Sequence, residues 1–295
     1  MKRPIVSLIS SITLGLAAAL VPVTAHAAAP PATEYAALGD SYAAGYGIAP
    51  RFELPGTTAE LCARSSMAYP VRLDRNQADS PSFDFAACSG ALTTDIIGPQ
   101  PLDTTGDTAV PQDTGLSAGT DVVTLTIGGN DIGFGDAAGC LKTPTAPGCG
   151  NIGARVWLGL QALASTTPTN FIDPVTGRPV TVAGLPTALG DILAHAPNAQ
   201  VYVSDYPVLL ASCGQAYDSL NQANVALNSV IQQVTMQMSA AYPRVHFVDA
   251  AAAFAGHDVC SAEPWISSTT LHPTIAGQVG YANAFREAMR ATSGS

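Results

Sequence analysis

Lysine is nearly missing from this chain: it occurs only at Lys2 and Lys142. Charged residues make up 12% of the sequence, and 22 acidic residues outweigh 12 basic ones, for a formal net charge of −10. Such a surface repels nucleic acid and anionic membranes, so neither is expected as a partner. No Cys-x-x-Cys or Cys-x-x-His spacing occurs, which disfavours a structural zinc site. No carboxylate cluster with calcium-ligand spacing is visible, and no metal or other cofactor is expected. Aromatic residues are few, at 6%, and internal repeats are absent. Beyond the first two dozen residues no apolar run approaches the roughly 20 residues of a membrane span.

What is present begins with a leader. Met1-Lys2-Arg3 is a short basic segment, an apolar stretch runs from Ile5 to about Val21, and Ala25-His26-Ala27 forms an A-x-A cleavage site. This pattern is a secretory signal peptide over residues 1–27. A membrane anchor is the weaker alternative, because the apolar core is short and broken by serines and Gly15. Cleavage would take the net charge from −10 to −12 by removing Lys2 and Arg3. The remainder, 28–295, has no linker that would divide it and reads as one domain, exported and monomeric. Its six cysteines, Cys62, Cys88, Cys140, Cys149, Cys213 and Cys260, fit disulfides in an oxidising compartment. Six cysteines allow 15 pairings. The spacing favours sequential neighbours, with Cys140 and Cys149 bracketing a Pro/Gly loop.

Strand-like and helix-like patterns alternate. Candidate strands are "EYAALGD", "SFDFAAC", "DVVTLTIGG", "AQVYVSDYP" and "RVHFVDA". Between Tyr217 and Ala241, Leu220, Leu227, Ile231, Val234 and Met238 recur at about helical spacing. In the last segment Pro273 suits a first helical position, and Val279, Ala282, Phe285 and Met289 form an apolar stripe. The alternation argues for an α/β fold with a parallel sheet covered on both faces. Two stretches, Gly98 to Gly119 and Ser165 to Gly184, read as long loops, and "DPVTGRP" in the second is a candidate hairpin turn.

In open α/β sheets ligands sit at the carboxyl ends of strands. There the first candidate strand delivers Gly39-Asp40-Ser41. The second delivers "CSGA", with Gly90. The third delivers Gly128-Gly129-Asn130-Asp131. The segment before the final helix carries "TTLHPT", with His272. A hydroxyl, a flexible backbone N–H, a side-chain amide and an imidazole are what acyl transfer requires. Serine needs a base within hydrogen-bond reach. The tetrahedral intermediate needs fixed donors, here the N–H groups of Ser41 and Gly90 and the side chain of Asn130, with a helix N-terminus after Ser41 adding its dipole. Each piece also has a bland reading as turn or cap chemistry. Their joint occurrence after successive strands is what favours the chemical one. Asp40 and Asp131 are expected to brace their loops by hydrogen bonds to backbone. His195, His246 and His257 lack a motif, and Trp157 and Trp265 either line an acyl groove or pack.

These blocks resemble the SGNH-hydrolase family, the GDSL lipases and esterases. "LGDSYAAG" matches its Ser block, "CSGA" its Gly block, "TIGGND" its Asn block and "LHPTIAGQVGYANAF" its His block. The resemblance covers nearly the whole chain after the leader and is nearest to secreted actinobacterial lipases, esterases and phospholipases. It implies a flavodoxin-like three-layer α/β/α fold around a central, mainly parallel five-stranded sheet. It also implies a cofactor-free serine esterase or lipase that hydrolyses acyl esters, with Ser41 as nucleophile and His272 as base. By the same resemblance the disulfides pair Cys62–Cys88, Cys140–Cys149 and Cys213–Cys260. One position departs from the pattern. Many members carry an Asp three residues before the His, and here that residue is Thr269. The expectation is therefore a Ser41–His272 dyad with His272 oriented by the main-chain carbonyl of Thr269, with Asp205, Asp249 and Asp258 as alternative partners. A polysaccharide O-acetyl esterase or an acyltransferase on the same site, and a non-catalytic surface-binding module, are the competing functions.

Overall fold

The computed structural model describes residues 34–52, 58–74, 83–102 and 106–293. The leader assigned to 1–27 lies outside them, as do residues 28–33 of the assigned domain. The described residues belong to one compact unit.

The strands in chain order are β1 (Tyr35–Gly39), β2 (Phe83–Phe85), a short hairpin of β3 (Gln100–Pro101) and β4 (Thr108–Ala109), β5 (Val122–Thr126), a second hairpin of β6 (Thr169–Ile172) and β7 (Pro179–Val182), then β8 (Gln200–Ser204) and β9 (Val245–Val248). Five of them form one sheet in the order β2-β1-β5-β8-β9, with every pairing parallel. All five candidate strands are found, and this order is the flavodoxin-like one. β1 is buried along its whole length, as a strand covered on both faces must be.

Helices cover both faces. They run α1 (Ser41–Ala44), α2 (Tyr69–Asp74), α3 (Thr94–Ile97), α4 (Phe134–Lys142), α5 (Ile152–Ala164), α6 (Leu185–His195), α7 (Asp218–Ala241), α8 (Ala250–Ala253) and α9 (Ile275–Ser293). α9 packs with α2 and α8, whereas α7 packs with α4, α5 and α6. On the α9 side the sheet carries hydroxyls that satisfy one another: Tyr35 with Thr124, Tyr69 with Thr126, and Thr126 with Ser204. The Tyr69 ring stacks on Tyr281 and Phe285 of α9. The other face takes the alternate residues Val123, Leu125, Val201 and Val203. α7 spans the expected segment and buries Leu220, Leu227, Ile231 and Val234.

The final helix differs from the sequence reading. Pro273 lies before α9, bridged to Ile266, and Val279 is exposed. The buried face instead contains Gln278, Tyr281, Ala282 and Phe285. Gln278 is drawn inside because its amide bonds the Tyr69 N–H and the Tyr42 carbonyl, which an apolar pattern does not register.

All three expected disulfides are present, Cys62–Cys88, Cys140–Cys149 and Cys213–Cys260. Each of the long loops folds on itself as a hairpin. At "DPVTGRP" the Asp173 carboxylate accepts the Val175 and Thr176 amides, and Gly177 takes a φ of 71° that closes the turn.

Candidate active site

β1 and β5 are neighbours, but the chain leaves β1 for β2 before returning to β5. The reversal opens a crevice at their carboxyl ends. Ser41 follows β1 and Asn130 follows β5, one on each lip of it. Asp40 caps the single turn α1, accepting the Tyr42 N–H, and its own N–H is held by the Thr126 carbonyl. With only four residues, α1 supplies less dipole than the sequence reading allowed.

His272 comes from the loop before α9. Its Nε2 lies 2.7 Å from Ser41 Oγ. Its Nδ1 lies 2.7 Å from the carbonyl oxygen of Thr270. The orienting carbonyl is therefore that of Thr270 and not of Thr269. The physical reason is the backbone at Leu271, which takes a left-handed φ of 59°. That kink points the carbonyl two residues back at the imidazole. It is held by the Leu271 N–H on the Ser267 carbonyl and by Tyr42 Oη donating to the Leu271 carbonyl. Left-handed backbone at a leucine costs about 1–2 kcal/mol and persists only where such contacts enforce it. Thr269 itself bonds through its hydroxyl to Ser267.

A carbonyl only accepts, so Nδ1 carries the imidazole proton and Nε2 is left as an acceptor for the serine hydroxyl. Burial holds the His272 pKa below its ordinary value, against the opposing pull of the Thr270 carbonyl. The ring is therefore neutral at neutral pH. Tyr42 and Tyr46 flank it, with ring centroids at 5.1 and 4.9 Å.

None of the alternative aspartates bonds His272 among the described residues. Asp205 accepts the Ala250 and Ala251 amides at the start of α8, and burial chiefly pushes its pKa up to about 7. Asp249 caps α8 through the Ala252 amide. Asp258 takes the Ser212 hydroxyl and the Cys260 amide.

Opposite His272 stand the candidate oxyanion donors. Gly90 has a φ of 84°, a conformation that glycine adopts without strain. Asn130 Nδ2 donates one hydrogen to the Ala91 carbonyl at 2.9 Å, which aims the amide and leaves its second hydrogen for a ligand. Ser41, Gly90, Asn130 and His272 all line one cavity of about 520 Å³. Thr269 borders it too, beside Thr270.

The sequence reading expected Asp40 and Asp131 to brace these loops, as they do, but missed their partners and Arg155. Arg155 of α5 is 3% exposed. It donates to the carbonyls of Asp131 (2.7 Å) and Asn130 (3.2 Å), and to Asp173 at 3.1 Å. Burial works to raise the Asp173 pKa, but the Val175 and Thr176 amides and Arg155 prevail and lower it. Asp131 accepts the Thr93 amide and hydroxyl. Burial raises its pKa to about 6 despite these bonds and Arg155. Tyr206 Oη accepts the Gly129 amide and donates to Asp40. Burial lifts Asp40 to about 7, with the Tyr206 and Tyr42 bonds pulling it down.

Both long loops reach the site from behind. In the first, the Gln112 amide brackets Gly39 through both its N–H and its carbonyl, and Gln100 donates to the Ser89 carbonyl. In the second, Asp173 pairs with Arg155, and Gly184 donates to Thr93. A Gln or Asp inside a hydrophilic loop gives no sequence signal of this duty. The other flagged residues stay out of the cavity. Trp265 stacks on His257 and meets Phe254 edge-on, Trp157 is exposed, His195 pairs with Asp191, and His246 bonds Gln200.

A family model for GDSL-like lipases and acylhydrolases matches residues 37–279. Lipase 1 of Streptomyces coelicolor is 34% identical over 293 residues, covering 94% of each chain. A lipase of Streptomyces rimosus is 33% identical over 281 residues, covering 91% of this chain and 92% of that one. Two solved structures are similar as well. The phospholipase A1 of Streptomyces albidoflavus superimposes with a TM-score of 0.66 at 31% identity, over 87% of this chain and 99% of that one. The extracellular lipase of Streptomyces rimosus gives 0.61 at 30% identity, over 87% and 100%.

Proposed function

Since the chain belongs to the GDSL-like lipase/acylhydrolase family and is a carboxylic-ester hydrolase, we propose that it acts through an acyl-enzyme on Ser41 with His272 as general base. The observation that carries this reading is the 2.7 Å contact of His272 Nε2 with Ser41 Oγ, inside a cavity that also presents Gly90 and Asn130. Ser41 Oγ attacks the ester carbonyl carbon as its proton passes to Nε2. The imidazolium keeps Nδ1–H on the Thr270 carbonyl. The oxyanion takes the Ser41 and Gly90 N–H groups and the free Asn130 hydrogen. Collapse breaks the bond to the alcohol, which leaves with the proton from Nε2. Water then attacks the acyl-enzyme with the same proton relay and frees Ser41.

A neutral carbonyl stabilises the imidazolium less than a carboxylate would. The oxyanion is stabilised separately by its donors, each worth about 3 kcal/mol. The relatives named as lipases and a phospholipase A1 support lipid-type acyl esters as the substrate class in this reading. Residues 28–295 act as one secreted domain in this reading, supported by the leader pattern, the three disulfides and the likeness to an extracellular lipase. Among the described residues no helix is long and apolar enough to cross a membrane.

The test is labelling by a serine-directed phosphonate together with hydrolysis of soluble esters. The wild-type protein is expected to be labelled and to hydrolyse them, and Ser41→Ala to do neither. Labelling that survives Ser41→Ala would place the nucleophile elsewhere.

A further inference from the structure

His272 becomes a cation each time it takes the Ser41 proton. In a triad that charge meets a carboxylate. Here the two ring nitrogens take the Thr270 carbonyl and the Ser41 hydroxyl, and no carboxylate bonds the ring among the described residues. The other ionisable groups lining the cavity are Asp40, Tyr42, Tyr46, Lys142 and Tyr206. Asp40 is buried and accepts the Tyr42 amide and the Tyr206 hydroxyl. Lys142 is exposed and is itself a cation.

What does stand against the imidazole is aromatic. The Tyr42 and Tyr46 centroids lie 5.1 and 4.9 Å from that of His272, at tilts of 42° and 49°. Both fall within the roughly 6 Å over which a cation is drawn to an aromatic face. The local fold puts them there. Tyr42 and Tyr46 are four residues apart, about one helical turn. α1 ends at Gly45, and the Gly45 and Tyr46 amides both bond the Ser41 carbonyl, which folds Tyr46 back beside the nucleophile. The Tyr42 ring is fixed before any substrate arrives. Its hydroxyl donates to the Leu271 carbonyl, and Tyr206 meets it edge-on at 5.0 Å. Burial chiefly, with the Asp40 carboxylate, pushes the Tyr42 phenol far above its ordinary pKa. This ring therefore acts through its electron-rich face and not as an anion.

We propose that the Tyr42 and Tyr46 rings supply, as a cation–π contact, part of the imidazolium stabilisation that a triad draws from its carboxylate. They act through His272, as positioning residues for its charged form. This rests on the Ser41 reading. The contact favours the imidazolium in the free enzyme and in the transition state alike, so one free energy enters twice. It raises the rate, and it raises the pH at which His272 gives up its proton. Removing it should lower both.

Tyr46 carries the test, because it is 38% exposed whereas Tyr42 also holds the Leu271 loop. Tyr46→Phe keeps the aromatic face and is the reference. Phenylalanines bearing one, two and three ring fluorines at position 46 then drain that face of electron density at nearly constant size. On a soluble ester, kcat is expected to fall at each step, by about three- to tenfold in all, with Tyr46→Leu at the low end. The His272 ring resonance, titrated by NMR in the same variants, should show its pKa falling in step, by about 0.5–1 pH unit over the series. A series flat within about 1.5-fold overturns the proposal, as does a Tyr46→Leu variant equal to Tyr46→Phe. A trend confined to KM also overturns it, by making Tyr46 a substrate contact. So does a fall in kcat with the His272 titration unmoved, which would leave Tyr46 as packing alone. If the wild type hydrolyses no soluble ester and takes no phosphonate, the Ser41 reading is what has failed, and the NMR titration still decides the ring contact.

Discussion

Replacing Arg155 by Met tests how the candidate oxyanion loop is held. The guanidinium is buried and makes three charge-assisted hydrogen bonds, to Asp173 and to the carbonyls of Asn130 and Asp131. It also sits 5.2 Å from the centroid of the Phe171 ring. Its loss leaves the Asp173 carboxylate buried without its cation, which costs about 3–5 kcal/mol. Against a total stability of about 5–15 kcal/mol, that is a large fraction. Catalysis should suffer separately. Deleting an oxyanion donor costs about 100- to 1,000-fold in kcat. Here the Asn130 amide survives and keeps its bond to Ala91, so a loosened loop should cost less, about 10- to 100-fold. The double variant Arg155→Met/Asp173→Asn separates the two effects. Its new carboxamide can still accept the Val175 and Thr176 amides and carries no charge. Stability should largely return, because exchanging a buried ion pair for neutral groups is often close to neutral. The kcat defect should remain, because the two carbonyls still lack their donor. Urea unfolding with disulfides intact and steady-state kinetics on a soluble ester measure both. Recovery of kcat together with stability in the double variant would refute the positioning role, as would a kcat unaffected in Arg155→Met.

Asn130→Ala should lower kcat about 100- to 1,000-fold with little change in KM, and an effect confined to KM would contradict its assignment to the oxyanion. Thr269→Ala should change kcat less than about threefold, since the orienting group is a main-chain carbonyl one residue later; a loss nearer the 10,000-fold of a triad carboxylate would refute that. For pH, burial lowers the His272 pKa, so its basic form persists below the ordinary 6.5. The acid limb of kcat/KM should thus fall at a pH under 6.5. Because Asp40 titrates at about 7, Asp40→Asn is the control, and a limb that vanishes in that variant would assign it to Asp40. On the chain-entropy argument, opening Cys213–Cys260, which spans 47 residues, should cost about 4 kcal/mol, against about 2.6 for the nine-residue Cys140–Cys149 loop. Thermal melts of the paired Cys→Ser variants check the order, and equal losses would count against loop length as the cause.

The strands were legible because most are short runs rich in apolar, β-branched or aromatic residues, as a strand covered on both faces requires. α7 was legible from an apolar period near 3.6. The parts that failed were those where polar groups do the packing. Gln278 displaces Val279 from the buried face of α9 because its amide has two backbone partners on distant elements. Gln112 and Asp173 brace the site from loops that look like solvent-facing turns.

By itself the sequence determined which residue types stand at the carboxyl ends of the strands: Ser41, Gly90 and Asn130, with His272 before the last helix. It did so because those positions follow from local pattern and from the parallel sheet that α/β alternation implies. Only the tertiary structure decided which carbonyl faces His272 Nδ1, because that depends on a left-handed turn at Leu271 enforced by Tyr42, 229 positions away along the chain. It likewise decided that Arg155 holds the Asn130 loop and that the four residues at the strand ends share one cavity. Hydrogen-bond direction and free volume are properties of the packed chain, and they leave no local mark in the order of residues.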